Sequence, residues 1–376
     1  MGDRYDWVLA LCFGALVSLG LVMVLSSSGP LAEMRHSGPL YYFKRQALFV
    51  MAGGVAMVLT ARVPLRPIRH LTYPLLGLSL LLLVLVLIPP FGKKVGVARR
   101  WLATPLGTFQ PSELGKFALV LYLSHLAAKK GEEVKDFLRG FLPPLLITGV
   151  FTVLLLLEPD IGGALFLTLL AFVLLFLFGW RLGHLVLLPL ASSPVVLLLL
   201  SRRGYALKRI EDFLSFLRDP SQVSYQLWQS FVALSRGGLL GTGLGEGKQK
   251  LFYLPAAHTD FIFANLGEEL GFVGVAGVMV LFGLILLRGM RVALRHPDPF
   301  GRNLAAGITV MIVLQAVINM GVVLGLLPTK GLPLPFISYG GSALMVEMAA
   351  AGVLLNLSRD VEVPSRTKGR WRSAYS

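Results

Sequence analysis

Ten long, mostly apolar stretches recur along this chain and leave it little freedom. They lie near 7–25, 46–61, 71–88, 111–128, 141–157, 161–178, 183–200, 259–287, 303–326 and 338–357. About 20 apolar residues in a helix span the hydrocarbon core of a bilayer. Inside that core each backbone polar group needs an internal partner, so such stretches must be helical. The expected fold is an all-α polytopic membrane protein with about ten transmembrane helices. Composition agrees: 15% of the 376 residues are charged, against roughly 25% in soluble domains. The first stretch is too long for a signal-peptide core and no convincing cleavage site follows it, so it reads as a permanent helix. Only Glu158-Pro159-Asp160 separates the fifth stretch from the sixth, which demands a tight turn. The eighth is long enough to tilt or to project from the bilayer.

An even helix number puts both termini on one side. With the N-terminus inside, 18 of the 35 Lys and Arg fall inside and 17 outside. Eight of the outer ones lie in the long loop 201–258. Long loops carry little weight in the positive-inside rule, so an N-in, C-in orientation is favoured. The organisation expected is one membrane domain over 1–376, a large extracytoplasmic loop at 201–258 between helices 7 and 8, and a basic cytoplasmic tail at 358–376. In the loop, 210–217 and 225–234 place apolar residues at helical spacing and suggest short amphipathic helices. Asp219-Pro220-Ser221 marks the turn between them.

The net charge of +15 points to anionic partners, either lipid headgroups or an anionic substrate. Nucleic acid is excluded as a partner because no soluble basic domain exists to hold it. Cys12, the single cysteine, rules out an intrachain disulfide. Two basic clusters, Lys93, Lys94, Arg99, Arg100 and Arg202, Arg203, Lys208, Arg209, fall on the outer face, where positive charge works against the topology. They read either as solvated loop charge snorkelling at helix ends or as a site for a phosphate or pyrophosphate headgroup.

The six histidines show no metal-ligand spacing. The run Gly237–Lys248 has the glycines of a nucleotide loop but neither its Lys-Ser/Thr ending nor a βαβ context; tight backbone turns explain it better. The Pro- and Gly-rich 331–342 interrupts helical structure near membrane depth. Such backbone is tolerated where it lines a wet cavity. Pro111, Ser112 and Glu113 make a helix start, and Lys116 stands one turn on, at the spacing for a pair with Glu113. Capping alone could explain Ser112 and Glu113; an anionic substrate would meet the same charges. Asp260 lies where a long polar segment runs into an apolar one, a costly place for a carboxylate without a function.

These segments, taken in order, resemble the SEDS family of bacterial membrane proteins, which includes RodA and FtsW. The resemblance rests on Ala98-Arg99-Arg100-Trp101, Gln110–Lys116, Glu158–Gly162, Tyr225-Gln226, Gln229-Ser230, Gly237–Gly241, Pro255–Phe261, Gly267–Gly271 and Pro333–Ser342. The stretches 250–255, 267–271 and 335–339 look closer to the division branch, FtsW, than to the elongation branch, RodA. The chain departs from the family pattern at Ala256, usually Glu, at Arg236, usually small, and at Gly163, usually Thr.

The resemblance implies a peptidoglycan glycosyltransferase that polymerises lipid II at the outer leaflet of the bacterial inner membrane. The matching aspartate is Asp260, which would act as general base for the GlcNAc 4-hydroxyl as it attacks the anomeric carbon of MurNAc, with inversion. Arg100, Lys116 and Arg203 would stabilise the pyrophosphate leaving group. Glu113, Gln229, His258, Thr259, Ser338, Tyr339 and Ser342 would complete the substrate site. A divalent cation, Mg or Mn, could share the cationic role. The implied partner is a class B penicillin-binding protein, a transpeptidase, docked through helices 8 and 9, where Gly271, Gly274, Gly277 and Gly283 allow close helix packing; packing within the chain would use the same faces. Two alternatives stand beside the enzyme: a lipid II flippase and a scaffold that recruits the transpeptidase. An irregular polar cavity between helices would also suit a flippase. The largely uncharged helix centres argue against it, with Glu347 in the last helix the main exception.

Overall fold

The computed structural model describes residues 5–35, 38–89, 91–95, 98–104, 107–187, 190, 193 and 204–362. Its helices are α1 (Trp7–Arg35), α2 (Tyr41–Thr60), α3 (Leu65–His70), α4 (Thr72–Leu87), α5 (Pro111–Lys130), α6 (Leu142–Leu157), α7 (Ile161–Leu177), α8 (Leu182–Leu185), α9 (Gly204–Arg218), α10 (Tyr225–Gly237), α11 (Ile262–Arg295), α12 (Pro299–Val323) and α13 (Gly341–Glu362). Nine of the ten expected spans carry a helix among the described residues; the seventh, 183–200, lies mostly outside them. Among the described residues, six helices are long and apolar enough to cross a membrane: α1, α2, α6 with the π-helical turn before it, α11, α12 and α13. The apolar α4 and α7 are shorter. The tail beyond 362 lies outside the described residues.

α5 owes its central place to its composition. It is the most polar of the long helices, yet most of it is buried, because it packs against α4, α6, α7, α12 and α13. Its N-terminal end carries Glu113 and Lys116, both buried, so a charge pair is built into the bundle.

The all-α expectation needs one correction. Three short segments, β1 (Gly92–Val95), β2 (Ala98–Thr104) and β3 (Gly107–Phe109), form an antiparallel sheet. The stretch that holds them is short, turn-rich and without helical periodicity, so hydropathy alone assigns it to a loop. β2 aligns Leu102 with both Gly92 and Phe109, and the sheet rests on α4 and α5. Gly92 is required there: a Cβ would stand 1.9 Å from the Val86 carbonyl oxygen.

The amphipathic segments of the long loop fold as expected but run longer, as α9 and α10. α10 does not lie free; its buried face of Leu227, Ser230, Ala233 and Gly237 packs on α11. The glycine-rich run that follows is structural. Gly237 and Gly241 press backbone to backbone on α11, where a Cβ would meet the carbonyl oxygens of Gly267 and Glu269 at 1.9 and 2.1 Å. Gly271 leaves helical geometry at φ 66°, so its neighbours bond outward: Phe272 N donates to the Gly238 carbonyl and Val273 N to that of Leu239. Glu268 accepts from the amides of Lys248 and Gln249 and faces Arg236 at 3.7 Å. Glu269 accepts from Ser26, from the Gly245 amide and from Lys250 at 2.7 Å. The Gly-Glu-Glu-Leu-Gly motif therefore anchors the long loop, and the unusual Arg236 adds a cation to that anchor.

Candidate active site

Asp260 lies in the turn just before α11, and its position is fixed from behind. Asn319 of α12 donates from one amide to the Asp260 carbonyl at 2.8 Å and to the Leu332 carbonyl at 2.6 Å. That tie draws the loop after α12 against the turn before α11. Gly331 touches the carboxylate: a Cβ there would stand 2.9 Å from Oδ2. Ser338 donates to the Thr259 carbonyl, and the Tyr339 amide to that of His258. The interrupted backbone of 331–342 thus supplies one wall of a cavity, as its composition suggested.

The cavity has a volume of about 670 Å³. The sheet contributes Lys93, Arg100, Trp101 and Thr104; α2 contributes Arg45; α5 contributes Glu113 and Lys116; and the turn before α7 contributes Asp160. Asp260, Arg100, Lys116, Glu113, Thr259, Tyr339 and Ser342, all expected in the site, line it. Ser338 and His258 brace the wall from outside the lining. Gln229 is not part of it, because α10 turns the Leu227–Ser230 face to α11 and leaves Gln229 off that face. Arg203 lies outside the described residues; Arg209 of the same cluster donates to the Thr329 carbonyl at 3.2 Å.

Asp160 caps α7 by accepting from the Gly163 amide at 3.0 Å and pairs with Arg100 at 3.4 Å. Arg100 also donates to the Pro159 carbonyl. A side chain at position 163 would come within 2.6 Å of the Asp160 carboxylate, so Gly163 gives that cap its close approach. Glu158, two residues before Asp160, is fully buried with neither oxygen hydrogen-bonded; burial, reinforced by Asp160, pushes its carboxyl up to about 9. Burial likewise raises Asp260 to about 6, against the pull of Arg209 and Arg100. Lys330 is lowered to about 8 by burial, offset by Asp160. The site is therefore an acid poised near neutrality inside a ring of cations.

Sequence reasoning missed Arg45 and Asp160 as lining residues and Lys330 as a cation beside Asp160. Arg45 fell just before the apolar stretch assigned to the second helix, which in fact begins at Tyr41. Asp160 stands in sequence as part of a tight turn and of a family motif, with nothing to place it at the site. Ala256, where the family offers a second acid, does not line the cavity; it holds a left-handed conformation at φ 57°. Among the described residues no group of three or more His, Cys, Asp or Glu could hold a metal ion. Three carboxylates line the cavity, but Glu113 is paired with Lys116 and Asp160 with Arg100, which makes a poor cage for Mg or Mn.

The family described as "Cell cycle protein", covering FtsW, RodA and SpoVE, matches residues 6–363. The probable peptidoglycan glycosyltransferase FtsW of Trichlorobacter lovleyi is 45% identical over 364 residues, 97% of this chain and 96% of that protein. Stage V sporulation protein E of Bacillus subtilis is 39% identical over 354 residues, 94% of this chain and 97% of that protein. A chain from the structure of a peptidoglycan synthase complex that coordinates polymerization and crosslinking superimposes with a TM-score of 0.76 at 33% identity, covering 96% of this chain and 99% of its own. Rod shape determining protein RodA of Thermus thermophilus superimposes with a TM-score of 0.71 at 31% identity, with the same coverage. By sequence and by architecture this chain belongs to the FtsW/RodA/SpoVE family and is FtsW-like.

Proposed function

We infer that the chain is a peptidoglycan glycosyltransferase that polymerises lipid II, and that Asp260 is its general base. The observation that carries this reading is a carboxylate raised to about 6 on the wall of a polar cavity that Arg100, Lys116, Lys93 and Arg45 also line. The acceptor 4-hydroxyl gives its proton to Asp260 as its oxygen bonds to the donor's anomeric carbon. The bond from that carbon to the pyrophosphate oxygen breaks, and undecaprenyl pyrophosphate leaves with the electron pair. One displacement inverts the anomeric centre. A base of pKa near 6 is mostly ionised at neutral pH and still basic enough to accept a proton in the transition state. Arg100, held by Asp160, and Lys116, held by Glu113, supply preorganised positive charge for the leaving group.

The Lys and Arg balance supports an extracytoplasmic mouth for the cavity in the bacterial inner membrane. A class B penicillin-binding protein is the partner in this reading, and α11 is the better half of the expected docking surface. It exposes Phe272, Val273, Val280 and Leu287, and a Cβ on Gly277 or Gly283 would meet open space. α12 is mostly buried within the bundle, and Gly271 is used against the chain's own loop. Purified protein with its transpeptidase, given lipid II in detergent, should build glycan polymer. Absence of polymer there, with lipid transport in vesicles, would favour the flippase instead.

A further inference from the structure

Glu347 sits two turns into α13, 6% exposed, and the reaction described above makes no use of it. Its surroundings are all polar partners with fixed directions. Glu347 Oε1 accepts from Gln315 Nε2 at 3.1 Å, and Oε2 accepts from the Phe336 amide at 3.0 Å. Gln315 Nε2 also donates to the Pro333 carbonyl at 3.0 Å. With its NH₂ end committed to two acceptors, Gln315 can present only Oε1 to Lys116. Lys116 Nζ donates to that oxygen at 2.6 Å and pairs with Glu113 at the same distance. Phe336, the other group on Glu347, stands at φ 64° and packs on Phe13 with ring centroids 5.3 Å apart. It belongs to the loop that carries Tyr339 into the cavity lining.

We propose that Glu347 is a positioning residue for the glycosyl transfer: through Gln315 it aims Lys116 into the cavity, and through the Phe336 amide it holds the facing wall at the matching distance. The proposal rests on reading the cavity as the lipid-pyrophosphate site. A carboxylate is needed because both partners of Glu347 are donors. An amide in its place has one acceptor end only. If that end keeps Phe336, its NH₂ meets the NH₂ of Gln315. Gln315 must then flip and offer a donor to Lys116, or turn away from it, and either way Lys116 keeps only Glu113. A buried ammonium that loses a hydrogen bond shifts or loosens.

Exchange of the two side chains restores the pattern. In Gln315→Glu with Glu347→Gln, the acid at 315 accepts from Lys116 and from the new amide, and that amide accepts from Phe336. Charge and volume are unchanged, and only the Pro333 carbonyl loses a donor. The test is the initial rate of glycan formation against lipid II concentration, for the protein in complex with its transpeptidase. Glu347→Gln should raise KM roughly tenfold, the scale of one charge-assisted hydrogen bond, toward the value of Lys116→Met, while kcat falls less. The exchanged double variant should return KM to within about threefold of the parent. A parental KM in Glu347→Gln, or a double variant no better than the single one, overturns the proposal. If Glu347→Gln does not fold, the double variant alone decides, against the parent and Lys116→Met. A parent that makes no polymer would instead overturn the function on which the inference rests.

Discussion

Acid should switch this enzyme off well above the pH at which an ordinary aspartate loses its charge. Burial raises Asp260 from 3.8 to about 6. As the base it must be ionised: about nine-tenths of it is at pH 7 and about one-tenth at pH 5. kcat/KM should therefore fall nearly tenfold between those values, whereas a base at 3.8 would remain more than about nine-tenths ionised at pH 5. The same shift has a stability consequence. The folded-state pKa is raised, so the stability it confers is present below about 3.8 and is lost as pH rises through about 6. Ionised Asp260 then costs the fold as much as about 3 kcal/mol at pH 7. Asp260→Asn should unfold at higher temperature than the parent at pH 7, with the difference vanishing below pH 4. The assay is initial glycan formation by the transpeptidase complex from pH 4.5 to 8, paired with thermal unfolding of both proteins. A flat rate from pH 5 to 7, or an Asn variant less stable at neutral pH, would refute the reasoning.

Other perturbations test the scaffold around the site. Lys250→Met leaves the fully buried Glu269 without its cation and should cost about 3–5 kcal/mol; adding Glu269→Gln should recover most of the loss in thermal unfolding. Gly237→Ala drives a Cβ to 1.9 Å from the Gly267 carbonyl oxygen and should destabilise by about 2–3 kcal/mol or more, seen as a lower melting temperature in detergent. Ala256→Gly relieves the left-handed conformation at φ 57° and should be stabilising by up to about 1 kcal/mol.

Most of the helical frame is legible in the sequence because a bilayer permits so few structures. Hydropathy finds the spans, the density of Pro and Gly finds the cavity wall at 331–342, and the cost of a carboxylate at a helix mouth finds Asp260. The three-stranded sheet is not legible, because its strands are short and lack a sustained alternation. Nor are Arg45, Asp160 and Lys330 as site members. They lie on a helix, a turn and a loop far apart in sequence, and only the packing of α2, α7 and the loop after α12 gathers them. Gln229 shows the converse error: a polar residue inside a family motif, on a helix whose buried face leaves it out. Glu268 and Glu269 stand in sequence only as part of a family motif and prove to be anchors for a loop, because the glycines beside them let two backbones touch.

The most direct test of the central claim is lipid II polymerisation by the purified complex carrying Asp260→Asn at neutral pH. The account requires that the variant reach the membrane, fold at least as stably as the parent and form no detectable glycan. Glycan formation at a rate comparable to the parent would remove Asp260 from the chemistry and the mechanism with it.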